Sequence, residues 1–209
     1  SPFSIYNEIY KLEPASMITI NNKTKKPTDY NDLKKKLNFK KWWLYSEIIQ
    51  KNIYNQIRDE SVALAKLENC LSESIKLQSR ADVQLGAFLS GGLDSSTIVA
   101  LMQKQNSKSI KTFTIGFEKN NFDESVYAKK VAKHLGTDHH DLIITSNEAR
   151  DVIPKLPYLY DEPFADSSQI PTYLVSKLAK NNVKVALSGD AGDELFGGYN
   201  RYIWLKKIW

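Results

Sequence analysis

Cysteine is almost missing from this chain. Cys70 is the single one among 209 residues, which excludes an intrachain disulfide framework and a cysteine-built zinc site. No apolar run approaches the roughly 20 residues that a membrane-spanning helix needs. The opening Ser1-Pro2-Phe3-Ser4 lacks the charged-then-apolar layout of a secretory signal. A reducing, cytoplasmic setting is the expectation, with no membrane partner. Internal repeats and low-complexity segments are absent too. There is no initiating methionine, and the last residues, Trp204-Leu205-Lys206-Lys207-Ile208-Trp209, carry an apolar-and-basic pattern still in progress. The expectation is a piece of a longer protein.

What is present is ordinary globular material. Hydrophobic residues make up 42% and charged residues 25%, values that argue against disorder. Lys and Arg number 29 against 24 Asp and Glu, a formal charge of +5. The excess is concentrated in Lys23, Lys25, Lys26, Lys34, Lys35, Lys36, Lys40 and Lys41. This stretch holds no arginine, and Trp42 and Trp43 sit beyond it rather than within it. It reads as a solvated connector, and no nucleic-acid partner is expected.

Two regions differ in pattern. In residues 1–20 the short apolar groups Ile5-Tyr6, Ile9-Tyr10 and Met17-Ile18-Thr19-Ile20 suggest a hairpin of two short strands. Residues 61–79 then read as an amphipathic helix, with Leu64, Leu67, Leu71 and Ile75 in one stripe and Cys70 beside it as a small packed thiol. From residue 82 strands and helices alternate. Strands are expected at 83–89, 112–117, 141–145 and 183–187. Helices are expected at 95–105, from an Asp123 cap to a Gly136 cap, and around Ile170, Leu174 and Leu178. Such alternation predicts an α/β fold, a parallel sheet with helices on both faces. Ligands of such sheets bind at the carboxyl ends of the strands.

Two glycine-containing motifs fall at those ends. In Ala87-Phe88-Leu89-Ser90-Gly91-Gly92-Leu93-Asp94-Ser95-Ser96 an apolar strand runs into two glycines and then a helix. Glycines let backbone N–H groups approach a ligand, the helix start adds unpaired donors and positive partial charge, and the hydroxyls of Ser90, Ser95 and Ser96 supply more donors. The product is a nest for phosphate or pyrophosphate. It is not the Walker pattern, which requires Gly-x-x-x-x-Gly-Lys-Ser/Thr. Asp94 would repel phosphate on its own, and makes sense if Mg2+ sits between its carboxylate and the phosphate oxygens; the plain alternative is a helix N-cap. The second motif is Leu187-Ser188-Gly189-Asp190-Ala191-Gly192-Asp193-Glu194-Leu195-Phe196-Gly197-Gly198-Tyr199. Its clustered acids repel one another unless a turn or a cation intervenes, and Gly189 and Gly192 are expected to allow the turn. Adjacent His139 and His140 face opposite sides of a strand, so joint metal ligation is not expected. Asp161, Glu162 and Asp166 occupy a Pro-containing loop, where acyl-substrate contact and loop capping are both open.

The loop Ser90-Gly91-Gly92-Leu93-Asp94-Ser95 resembles the pyrophosphate loop of the ATP pyrophosphatases, the PP-loop enzymes. The segments 81–89, 112–117, Phe122-Asp123-Glu124-Ser125-Val126-Tyr127-Ala128, 135–140 and 161–168 narrow the likeness to the glutamine-hydrolysing asparagine synthetase family. The resemblance implies a Rossmann-like PP-loop fold in residues 46–209, truncated, after a short hairpin remnant of a glutaminase domain and its linker in residues 1–45. It implies an ATP-dependent amide ligase using ATP and Mg2+, with aspartate and glutamine-derived ammonia as the other substrates, and leaves a homodimer open. It implies that Asp94 and Asp193 hold Mg2+, that Ser90, Gly91, Gly92, Asp94, Ser95 and Ser96 bind the pyrophosphate, and that Phe88, Ile115, Ser188 and Gly189 receive the nucleoside. Asp190 aligns with a carboxylate acting as general base toward ammonia, a position often held by Glu. The family's amino-terminal nucleophilic cysteine is missing. Two other readings stand beside this one: a related amidotransferase or cyclase acting on another acid or amine, and a non-catalytic nucleotide-binding module.

Overall fold

A computed structural model describes residues 2–23, 25–118 and 123–208, with side chains except that of Lys206. Phe122 and Trp209, named above, lie outside the described residues. The chain divides into two compact units, Ser1–Glu60 with Tyr160–Pro163, and Ser61–Leu159 with Phe164–Trp209.

In the first unit, strand β1 (Ser16–Thr19) pairs antiparallel with β2 (Asn38–Lys41), Ile18 standing opposite Phe39. The expected partner lay within residues 1–20; there the structure has only an isolated bridge, Phe3 to Tyr10. The lysine-rich stretch is no mere connector. It contributes β2 and helix α1 (Tyr30–Lys36), started by Asp29, whose side chain accepts from the Asp32 amide. Glu13 binds Lys41 at 2.7 Å and Lys34 at 3.5 Å, and Asp32 binds Lys36 at 2.6 Å. These ion pairs let basic residues crowd along the pair of strands. Helix α2 (Tyr45–Asn52) follows.

In the second unit, helix α3 (Glu60–Gln78) opens the chain and β3 (Leu85–Phe88), β4 (Lys111–Phe117), β5 (Asp138–Ile144) and β6 (Val185–Leu187) form one sheet. All its pairings are parallel, in the order β5-β4-β3-β6. The crossovers run through α4 (Leu93–Lys104), α5 (Ser125–Leu135), and the series α6 (Ser146–Arg150), α7 (Leu156–Leu159) and α8 (Gln169–Lys180). Short helices α9 (Gly192–Phe196) and α10 (Asn200–Ile208) follow β6. The expected α/β fold with helices on both faces is what the structure shows. On one face, Ala87 and Leu89 pack with Val99 and Met102 of α4, Ala128 and Ala132 of α5, and Ile75 of α3. On the other, Phe113 packs with Ala179 and Val183, and Ile144 with Leu174 of α8 and Val152. Burial of such side chains is the main stabilising contribution, about 1.5–3 kcal/mol each.

Several local expectations need correction. β5 starts at Asp138 and takes in both histidines. The α5 N-cap is Glu124; Asp123 instead accepts from the Ser125 amide at 3.0 Å, and hydrogen bonding by the Ser125 hydroxyl first and its amide second holds the Asp123 carboxyl below its usual range. Gly136 does cap α5, at φ 70. Cys70 is exposed, not packed. Along the α3 stripe only Ile75 is fully buried, and Leu64 stays 59% exposed, because the far half of the helix faces an open groove.

Candidate active site

Strand order places the site. The chain moves outward from β3 to β4 to β5, then returns so that β6 lies on the other side of β3. The sheet therefore has its topological switch point between β3 and β6, where the loops after the two strands diverge and leave a crevice. The two glycine-containing motifs are those two loops.

The β3–α4 loop is held by its own hydroxyls. The Ser90 amide donates to Ser95 Oγ at 3.2 Å, the Gly92 amide to Ser90 Oγ at 3.2 Å, and the two hydroxyls lie 2.9 Å apart. Thr114 of β4 donates to the Leu89 carbonyl, anchoring the strand where the loop departs. Gly91 has φ 82, and a Cβ there would stand 2.6 Å from the Ala128 amide nitrogen of α5. Its glycine is required twice over, for conformation and for room. Helix α4 starts from Gly92 without a side-chain cap, so Asp94 is not the N-cap but sits in the first turn. Ser96 has a buried hydroxyl with no hydrogen-bond partner among the described residues.

The β6–α9 loop leans directly on that turn. A Cβ on Gly189 would stand 2.8 Å from the Ser95 amide nitrogen, and one on Gly192 would collide with the Asp94 carboxylate. The residue that turns the loop is Ala191, at φ 73. Gly189 and Gly192 are the ends of that turn, the Gly192 amide donating to the Gly189 carbonyl at 3.2 Å, and they also allow the close approach between the two loops. Ser188 Oγ donates to Asp190 Oδ2 at 3.0 Å.

Two cavities flank the interlocked loops. One, about 520 Å³, is lined by Phe88, Ser90, Ile115, Thr114 and, from the α8 side, Ser168 and Thr172. The other, about 700 Å³, is lined by Asp94, Ser188, Gly189 and Asp190 at one end and by Leu64, Leu67, Leu195 and Phe196 at the other. The predicted nucleoside set is therefore split: Phe88 and Ile115 face the first cavity, Ser188 and Gly189 the second. Asp193 lines neither; its carboxylate rests against Gly198. Among the described residues no group of three or more His, Cys, Asp or Glu gathers as a metal site. Mg2+ does not need one, since it keeps waters and binds through one or two carboxylates plus phosphate oxygens. Asp94, beside the glycine loop and open to the larger cavity, fits that donor set.

The remaining candidates have structural partners. His139 Nδ1 lies 2.9 Å from Thr112 Oγ1, and His140 stacks on Phe113 with centroids 5.4 Å apart. Burial lowers the His139 pKa. Asp166 accepts from the Ser168 amide at 2.8 Å, a loop-capping bond. Glu162 pairs with Lys11 and accepts from the Ile5 amide at 3.3 Å within the first unit. Leu64, Leu67, Thr114, Ser168 and Thr172 were not predicted as site residues, since they reach the cavities from three separate segments.

A parallel sheet covered by helices on both faces, with a serine- and glycine-containing loop and an acidic loop interlocked at its switch point, defines a protein of the open-sheet α/β class. Residues 66–209 match the asparagine synthase family, and the chain belongs to that family. Asparagine synthetase [glutamine-hydrolyzing] 1 of Bacillus subtilis is 37% identical over 201 residues, 96% of this chain and 29% of that protein. A Methanocaldococcus jannaschii protein provisionally named a glutamine-hydrolyzing asparagine synthetase is 38% identical over 204 residues, 97% of this chain and 36% of its own. Asparagine synthetase B of Escherichia coli is 33% identical over 163 residues, 70% of this chain and 29% of that protein. The chain thus spans about a third of these relatives or less. A solved NH3-dependent NAD synthetase of Campylobacter jejuni is similar at TM-score 0.45 and 15% identity, over 65% of this chain and 60% of that one. No helix among the described residues is long and apolar enough to cross a membrane.

Proposed function

We propose that this chain is the nucleotide-activating part of an ATP-dependent amide ligase that converts aspartate to asparagine. The supporting observation is the interlock of the two loops, in which Gly189 and Gly192 close on Ser95 and Asp94. A carboxylate in the first helical turn after an anion nest, with an acidic loop packed against it, is what phosphate binding through a divalent cation calls for.

In this reading the Ser90–Ser96 loop binds the pyrophosphate part of ATP, exchanging its internal Ser90 and Ser95 hydrogen bonds for bonds to phosphate oxygens. Asp94 and Asp193 would hold Mg2+, which would supply charge neutralisation at the departing pyrophosphate. Asp193 reaches it by turning away from Gly198. Phe88 and Ile115 on one side and Ser188 and Gly189 on the other receive the nucleoside. The substrate's side-chain carboxylate oxygen attacks the α-phosphorus and the bond to pyrophosphate breaks. Ammonia then adds to the acyl carbon, AMP departs with its electron pair, and Asp190 accepts the proton lost from nitrogen, held in place by the Ser188 hydroxyl. Residues 1–45 are the end of the glutaminase domain that supplies ammonia.

Exchange of labelled pyrophosphate into ATP, with Mg2+ and aspartate, tests the reading on the longest available form of the protein. Exchange that requires aspartate supports it. Exchange with a different acid assigns a related amidotransferase or cyclase. Nucleotide binding with no exchange for any acid assigns a binding module.

A further inference from the structure

The acidic loop carries a third acid, Glu194, to which no role has been assigned. It lines neither cavity. Its position is set by the turn beyond α9. Gly197 ends that helix in the left-handed region, at φ 71, with its amide donating to the Asp193 carbonyl. The Gly198 amide donates to the same carbonyl at 3.1 Å. The chain therefore doubles back over α9, and the next side chain, Tyr199, donates its phenol hydrogen to Glu194 Oε1 at 2.6 Å. The Arg201 guanidinium lies 4.0 Å from the centre of the Tyr199 ring, which holds the ring from the other side. A phenol bond to an ionised carboxylate is among the stronger hydrogen bonds, and here both partners are carried on one tight turn.

We infer that Tyr199 is a positioning residue that ties Glu194 outward, so that the acidic loop presents only Asp190 and Asp193 to the nucleotide and its cation. The inference rests on the functional reading above. Its physical basis is local. Asp190, Asp193 and Glu194 fall within five positions, and an untethered Glu194 is a flexible anion adjacent to the cation ligand. Freed, it competes as an extra ligand and alters the metal requirement without touching the nucleotide-binding loop.

The test is calorimetric titration of the chain with ATP at graded Mg2+ concentrations. Y199F keeps the ring and its contact with Arg201 but removes the tether. The Mg2+ concentration that half-saturates ATP binding is expected to fall about threefold to tenfold, while ATP affinity without Mg2+ stays within about twofold. In Y199F/E194Q, where the loose side chain carries no charge, the requirement returns to the wild-type value; E194Q alone stays at that value. A packing role for Tyr199 would not be rescued in this way. E194D, one methylene too short for the phenol yet still charged, carries the same expectation as Y199F should that variant not fold. A requirement in Y199F and E194D that is unchanged or raised, or a fall that persists in the double variant, overturns the inference. Wild-type protein whose ATP binding ignores Mg2+ overturns the functional reading and this inference together, and is told apart from the other outcomes before any variant is made.

Discussion

The two units of this chain are stabilised very differently. Among the described residues the second holds fifteen of the sixteen buried apolar ones, from Ile75 to Val183, while the first contributes Leu37. In the first unit Phe3 is 68% exposed, Ile20 70%, Trp42 70% and Tyr54 94%. Its aromatics touch one another in pairs, such as Tyr10 on Tyr30 at 4.9 Å, and these two rings are only half-buried. A segment of about 60 residues is marginal even when well packed. The contrast shows that sequence hydrophobicity alone does not make a core. The second unit has a sheet whose two faces each receive helices; the first has a two-stranded pair, which is marginally stable by itself.

Substitutions test that contrast, beginning with the largest effect. Phe113 is fully buried in the central strand β4, and Phe113→Ala is expected to cost about 3–5 kcal/mol in denaturant unfolding. A loss below 1.5 kcal/mol would mean that the sheet is not the core it appears from its geometry. Next comes a pair of left-handed glycines in the same unit. Gly91→Ala brings a Cβ onto the backbone of α5 and is expected to cost about 2–4 kcal/mol. Gly136→Ala has open space around it and is expected to cost about 1 kcal/mol. Equal costs would refute the close approach of the β3–α4 loop to α5.

A smaller effect is read from pH. Burial holds the His139 pKa below the ordinary imidazole value of 6.5, so the folded state binds fewer protons than the unfolded one near that pH. Its contribution to stability is complete above 6.5 and is lost as pH falls through the lower folded value. Thermal midpoints of wild type should therefore fall between pH 7 and 5 more steeply than those of His139→Gln. Parallel profiles would show that the ring does not titrate differently on folding. The smallest effect belongs to the first unit. Trp42→Ala, at an exposed position, is expected to shift stability by less than about 0.5 kcal/mol. A loss comparable with that of Phe113→Ala would erase the distinction between the units.

Much of this was legible in the residues. Short segments rich in apolar residues marked all four strands of the sheet, and apolar residues three or four apart marked α3, α4, α5 and α8. Legibility failed where a partner lay far along the chain. The stripe on α3 was readable, but its half-open state was not, because it depends on what Leu195 and Phe196 leave uncovered. Strand β2 looked like connector because Lys40 and Lys41 outweigh Phe39 in composition; Glu13, more than twenty residues earlier, pairs with Lys41 and with Lys34 of α1. At the site, Ser90, Gly91, Asp94 and Asp190 were named by motif, whereas Tyr199 and Thr114 act through single hydrogen bonds that have no spacing signature.

The residues alone therefore determined the chemistry of each loop: donors and glycines after β3, acids after β6, each at the end of an apolar strand. Only the tertiary structure decided that β6 returns to the far side of β3, pressing Gly189 and Gly192 against Ser95 and Asp94 and dividing the residues expected to receive the nucleoside between two cavities. The reason is range. Conformational preference and periodicity act over a few residues, while strand order is set by which distant faces bury each other, a free-energy difference that no local pattern contains.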